Sequence, residues 1–280
     1  FKGATVSTIV FRFVKSNVSS KPVVKVARLK QKTKVDADVL SQMRSRVSMP
    51  YVEYFDLPQF KKGKRWVFAP QGEQEALDRL MKACEVGDDS ELIHRRRMTT
   101  IADVCDIGNG MVSGLDKAFQ IPDGIALTDT EKLATILVYK AKDMRQYWAE
   151  RPTRYIYVPE DCVEEDDFRK RYPNFYRLML SHKDKLNARY NYSRELPYWQ
   201  WCFKRNERLF RGSEKRILVP CKERISARSF VRFVLADSGF YPTQDVTAVF
   251  KKNGIRESIE YILAYLNHPL VFKWIKHYGI

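Results

Sequence analysis

Residues Ile101–Ile121, IADVCDIGNGMVSGLDKAFQI, admit two incompatible readings, and the choice between them decides the fold. In the first, Asp106-Ile107-Gly108-Asn109-Gly110 is the acidic, glycine-rich turn that closes the first strand of a nucleotide- or S-adenosylmethionine-binding fold. Such a turn should open a helix, with an acidic residue about twenty positions on at the end of a second strand. Here Gly114 and then Pro122-Asp123-Gly124 follow, which leaves no room for a helix longer than about two turns. In the second reading a short strand runs into a glycine loop, Gly110-Met111-Val112-Ser113-Gly114. A lysine-aromatic step, Lys117-Ala118-Phe119, then feeds a second strand ending before Pro122. The spacing favours the second reading.

The cofactor reading also lacks its companion. An amino-methylating enzyme needs a polar-Pro-Pro-aromatic loop to hold its base. Met49-Pro50-Tyr51 and Leu196-Pro197-Tyr198-Trp199 both lack the polar first residue and the second proline. The four histidines, His94, His182, His268 and His277, stand apart, and no Ser-His-Asp or Cys-His set forms. There is no phosphate-binding P-loop. The expectation is therefore no catalytic residue, no cofactor-binding residue and no metal ligand in this stretch of chain.

Bulk properties narrow the partner. A length of 280 residues permits one large domain or two small ones. The formal net charge of +16 exceeds what solubility needs and implies a polyanion, with nucleic acid ahead of a membrane surface. Five scattered cysteines, without a CxxC pair or a His/Cys cluster, argue for a reducing cytoplasm and against structural zinc. Apolar runs are short and broken by charge, so no membrane span is expected.

Along the chain, Phe1–Val14 alternates as a strand, and Val23–Leu29 resumes as one after Ser19-Ser20-Lys21-Pro22. Nine basic and no acidic residues fall within Phe1–Val35. Asp36–Arg46 reads as a helix, Trp66-Val67-Phe68 as a strand, and Gly72–Ala83 as a helix with Leu77, Leu80 and Met81 on one face. Ile125–Tyr139 and Lys142–Trp148 fit helix and strand templates equally. The acidic run Pro159–Asp167 reads as the N-terminal turn of a helix through Tyr176 and Leu180, where negative charge offsets the macrodipole.

Four motifs in order carry a resemblance to a known family. They are the Gly110–Phe119 loop; Trp199 and Trp201 before Lys215-Arg216-Ile217-Leu218-Val219-Pro220; Phe240-Tyr241-Pro242-Thr243 before the strand Val246–Phe250; and Ser258–Trp274, with Tyr261-Ile262-Leu263-Ala264-Tyr265-Leu266-Asn267-His268-Pro269. Together they resemble the TaqI-like C-terminal specificity domain, the target-recognition part of type II adenine-specific DNA methyltransferases. The resemblance covers roughly Val35 to Ile280. It implies an α+β fold of mixed strands and packed helices over 35–280. Residues 1–34 would be the last strand of a catalytic methyltransferase domain plus a basic linker. It also implies double-stranded DNA as partner, a covalently linked upstream methyltransferase domain, and S-adenosylmethionine as cofactor of the parent enzyme only. The setting would be the bacterial cytoplasm, at the nucleoid. Two other readings stay open: a type I restriction specificity subunit, and the recognition domain of a fused restriction-methylation enzyme.

Candidate DNA contacts follow from side-chain chemistry. Gly110 and Gly114 let a backbone approach a groove without Cβ atoms. Asn109 and Ser113 offer an amide and a hydroxyl, and Lys117 a charge. Between Cys202 and Arg232, Arg205, Lys222 and Arg224 flank expected turns and suit phosphates. The interleaved Tyr198, Trp199, Trp201, Phe203 and Phe210 are expected in the core rather than on DNA.

Overall fold

The computed structural model describes residues 10, 12, 23–31, 33–58, 60, 63, 66–84, 100–190, 195–223 and 228–278. These form two compact units, the first ending at Lys82 and the second beginning at Ala83. Each unit contains both strands and helices, so the fold class is α+β as expected.

In the first unit, β1 (Val23–Leu29) and β2 (Val52–Pro58) pair antiparallel along their whole lengths. Between them in sequence lies α1 (Ala37–Arg44), whose N-cap Asp36 accepts from the Val39 N–H at 3.0 Å. The unit closes with α2 (Gln71–Cys84). Arg28 ties it together, with its guanidinium 2.6 Å from Glu53 Oε2 and donating to the Phe68 carbonyl. Two expectations change here. The boundary placed at Val35 runs through this unit, because β1 and β2 pair across it. Trp66–Phe68 forms no strand: the Val67 carbonyl accepts the Gln74 side-chain amide, and the strand that β1 needs is β2. The strand expected over Phe1–Val14 lies, apart from Val10 and Arg12, outside the described residues.

In the second unit, α3 (Ile101–Val104) leads straight into β3 (Cys105–Asn109). β3 is one edge of an antiparallel sheet in the order β3-β9-β6-β7, with β6 (Arg216–Pro220), β7 (Val234–Ala236) and β9 (Val246–Lys251). A second sheet joins β4 (Thr135–Tyr139) to β5 (Thr153–Ile156) antiparallel and to β8 (Phe240–Pro242) parallel. Strand alternation sends the two faces of β9 into different cores. Val246, Ala248 and Phe250 join the larger one, with Phe119, Trp201 and Phe210. Val249 joins Cys105 and Ile217 beneath α10 (Ile259–Leu266).

Two differences from expectation have clear causes. No second strand precedes Pro122. Instead Asp116–Phe119 forms a single helical turn, α4, after which only Gln120 bridges Tyr155. The Ala118 N–H donates to the Leu115 carbonyl and closes the turn, and Ala118 and Phe119 are both buried in the larger core. The helix expected through Leu180 is two, α6 (Glu165–Arg171) and α7 (Pro173–Leu180), because Pro173 has no N–H to continue α6 and begins the next helix. Ser258–Trp274 contains α10 and α11 (Pro269–Tyr278), with Asn267-His268 at the turn expected between helices. The segment open to either template resolves into α5 (Asp129–Leu133), β4 and a 3-10 turn at Ala141–Asp143.

Candidate nucleic-acid interface

The glycine segment is held from several sides. The Gly110 N–H donates to the Val246 carbonyl and the Met111 N–H to Pro242, while Val112 and Phe203 exchange backbone hydrogen bonds. A Cβ on Gly110 would collide with the Thr243 carbonyl oxygen, so this glycine is required by the protein's own backbone rather than by an approaching groove. Gly114 adopts φ +86°, and a Cβ there would meet Cys202 Sγ and Arg189 Cδ within 2.7 Å. Arg189 donates to the carbonyls of Ser113, Pro197 and Gln200 and lies over the Phe119 ring. Ser113 is 1% exposed and its hydroxyl donates to Asp116, which also pairs with Lys140. Burial of these groups corrects the expectation for Ser113 and Gly110: both build the loop and present nothing to a base.

Asn109 behaves differently. It is exposed at the last position of β3, opposite Thr247 of β9, which in turn lies opposite Val219 of β6. Its side-chain carbonyl accepts from Thr247 Oγ1 at 3.3 Å, and Thr247 Oγ1 is 3.1 Å from Cys221 Sγ. An amide, a hydroxyl and a thiol thus form a row across three neighbouring strands. Asn206 donates its amide to the Asn109 backbone carbonyl at 3.0 Å, which brings the adjacent Arg205 to the same end of the sheet. Lys222 follows Cys221 directly and is exposed, as is Arg205, whose guanidinium stacks over Phe203. Three of the expected contacts, Asn109, Arg205 and Lys222, therefore gather at one rim from segments about a hundred residues apart in sequence. Gly114 and Lys117 are exposed, with no hydrogen bond to this rim among the described residues. Arg224 lies outside the described residues, as do His94 and Arg95-Arg96-Arg97.

The sequence did not single out Thr247, Cys221 or Asn206. Their signal exists only in the register of β9 against β3 and β6. Composition also overstated the number of usable cations. Arg216 is wholly buried, stacked against Phe210 and Phe250 and donating to three backbone carbonyls, and burial pulls its pKa down. Arg232 is bound to Glu223 and to the carbonyls of Ala141 and Met144. Lys204, Arg211, Lys215 and Arg228 pair with Glu160, Glu207, Glu260 and Glu223. Trp199 and Trp201 are core residues, each donating its indole N–H to a backbone carbonyl at 2.8 Å.

Other chemistry is not prominent among the described residues. No group of three His, Cys, Asp or Glu side chains there is placed to hold a metal ion, and no helix is long and apolar enough to cross a membrane. Burial and the neighbouring Asp167 push the Cys162 thiol up to about 11, far from nucleophilic use.

Over its whole length the chain is 40% identical to the type II methyltransferase M.HindII of Haemophilus influenzae, of which it spans 52%. It is similar to type II methyltransferases. M.HincII, also of Haemophilus influenzae, is 36% identical over the whole chain and 51% of its own length. M.MjaIV of Methanocaldococcus jannaschii is 31% identical over 60% of this chain and 55% of its own. The chain thus spans about half the length of the curated relatives it matches. No protein-family profile matches it. Among solved structures, a type IIL restriction-modification enzyme, MmeI, in complex with DNA aligns over 68% of this chain and 24% of its own. The TM-score is 0.42 at 11% identity, too distant a likeness to argue from.

Proposed function

We propose that this chain is the target-recognition part of a type II DNA methyltransferase, reading a short duplex site for methyl transfer to the N6 of an adenine. The observation that carries the reading is the rim at the end of the four-stranded sheet, where exposed Asn109, Arg205 and Lys222 converge. Arg205 and Lys222 supply phosphate neutralisation, which gives affinity without sequence information. The Asn109 amide, whose oxygen already accepts from Thr247, offers its N–H groups to acceptors on base edges. The similarity to type II methyltransferases along the whole chain supports the same reading. So does the resemblance of the four motifs to those of TaqI-like specificity domains. S-adenosylmethionine, the flipped-base pocket and the chemistry of transfer are assigned, in this proposal, to the linked methyltransferase domain, and the setting to the cytoplasm.

The test is selection of bound sequences from a random duplex pool, followed by affinity measurements on the winner. Enrichment of one short adenine-containing motif is expected. Asn109→Ala should alter the preferred base at one position, a discrimination of about 1–3 kcal/mol. Arg205→Ala should weaken every duplex alike. Binding without enrichment, or the same uniform loss from both variants, overturns the assignment of roles.

A further inference from the structure

Beyond β7 the four-stranded sheet is extended by one more segment, the tight turn Arg145-Gln146-Tyr147-Trp148. Tyr147 forms a parallel bridge with Val234, donating its N–H to the Phe233 carbonyl and accepting from the Leu235 N–H. The Arg145 N–H closes the turn on the Trp148 carbonyl at 2.8 Å, and Met144 bridges Ala149 behind it. The Gln146 amide reaches the Asn267 carbonyl. This well-pinned backbone holds two large aromatic side chains in the open, Tyr147 at 46% and Trp148 at 54% exposure. It is also strained, with φ +74° at Tyr147 and +43° at Arg151, values that residues with a Cβ rarely adopt. Exposed Lys142, Arg145 and Arg151 flank it in sequence, while the adjacent carboxylates are engaged, Asp143 with the Lys140 N–H and Glu150 with Arg145.

Exposed tryptophan and tyrosine on a strained, rigid turn serve no folding purpose that a polar turn would not serve better. Their surroundings are basic, and the segment belongs to the same sheet whose end gathers Asn109, Arg205 and Lys222. The turn lies four strand positions from β3, or about 19 Å at about 4.8 Å per strand. Along a duplex rising about 3.4 Å per base step, that separation covers about 5 or 6 base pairs. We infer that the Tyr147-Trp148 turn is a second contact to double-stranded DNA, in which the aromatic faces pack on sugar or on an opened base step. The inference rests on the recognition reading proposed above and adds to it a contact that carries no charge.

The experiment compares duplex binding by the full protein with Trp148→Ala, Tyr147→Ala and Arg205→Ala, over a range of salt. Both aromatic side chains are exposed, and circular dichroism with thermal melting verifies that each variant is folded. Trp148→Ala is expected to weaken binding about tenfold or more, within the range found for stacking contacts, with the slope of log K against log salt unchanged. Arg205→Ala should weaken binding and reduce that slope. Unchanged affinity in folded Trp148→Ala, with Arg205→Ala still impaired, overturns the turn contact and leaves the recognition reading standing. A change in oligomeric state without loss of DNA affinity also overturns it, assigning the turn to self-association. Failure of the unsubstituted protein to bind any duplex instead removes the recognition reading itself.

Discussion

Gly110 illustrates how one residue type serves different masters. Its lack of a side chain is demanded by the Thr243 carbonyl, which sits where a Cβ would go. Gly110→Ala should therefore destabilise by about 3 kcal/mol, read as a lowered urea midpoint. Gly124, unlike Gly110, lies in the left-handed region, at φ +84°, and a Cβ there would have nothing within 4 Å. The same substitution at that position should cost about 1 kcal/mol. A loss at Gly110 no larger than that at Gly124 would mean that the Thr243 backbone gives way at little cost. Ser113 belongs with Gly110, since its hydroxyl is held by Asp116, and it should be sensitive to substitution through stability rather than through sequence preference.

Among elements, the join of α5 to α7 depends on Glu131. Fully buried, it accepts from the backbone N–H groups of Thr128, Asn174 and Phe175 and from the Asn174 side chain, capping two helices at once. Burial pushes its pKa up, but the hydrogen bonds from Asn174, Thr128 and Phe175 together outweigh it, and the net direction is down. A carboxylate depressed on folding contributes stability that is complete above its unfolded value and is lost as pH falls through its folded one. Glu131→Gln should lower stability by about 1–3 kcal/mol at neutral pH and by less in acid. Urea titrations at pH 7 and pH 3 measure the difference, and a pH-independent loss would remove the charged-cap explanation. Thr128 and Glu131 have capping-box spacing, but the pattern of Ile125–Tyr139 left helix and strand open. It had no means of showing Asn174 as a partner 43 positions away.

At the scale of the whole molecule, the charge of +16 acts through fewer groups than its size suggests. Many cations in the Cys202–Arg232 region are neutralised internally or buried. The salt dependence of duplex binding should accordingly be governed by the few exposed cations at the rim. Lys222→Ala combined with Arg205→Ala is expected to lower the magnitude of the log K against log salt slope by about 2. An unchanged slope would place the phosphate contacts elsewhere on the surface.

Local chemistry in the sequence determined much of the frame. Pattern alone located β1, α1, α2 and the acidic start of α6, because alternation, capping and charge at helix ends act within a few residues, while β6 and β9 were marked by the family resemblance. The cofactor reading of Asp106–Gly110 was set aside for the same kind of reason. Tertiary structure decided what depends on distant partners. It paired β1 with β2, made Asp116–Phe119 a helical turn with Ala118 and Phe119 in the core, and drew Ser113 and Arg216 inward. It also placed Asn109, Thr247 and Cys221 side by side, residues with no relation in sequence that meet because strand register across a sheet is fixed by which faces must be buried.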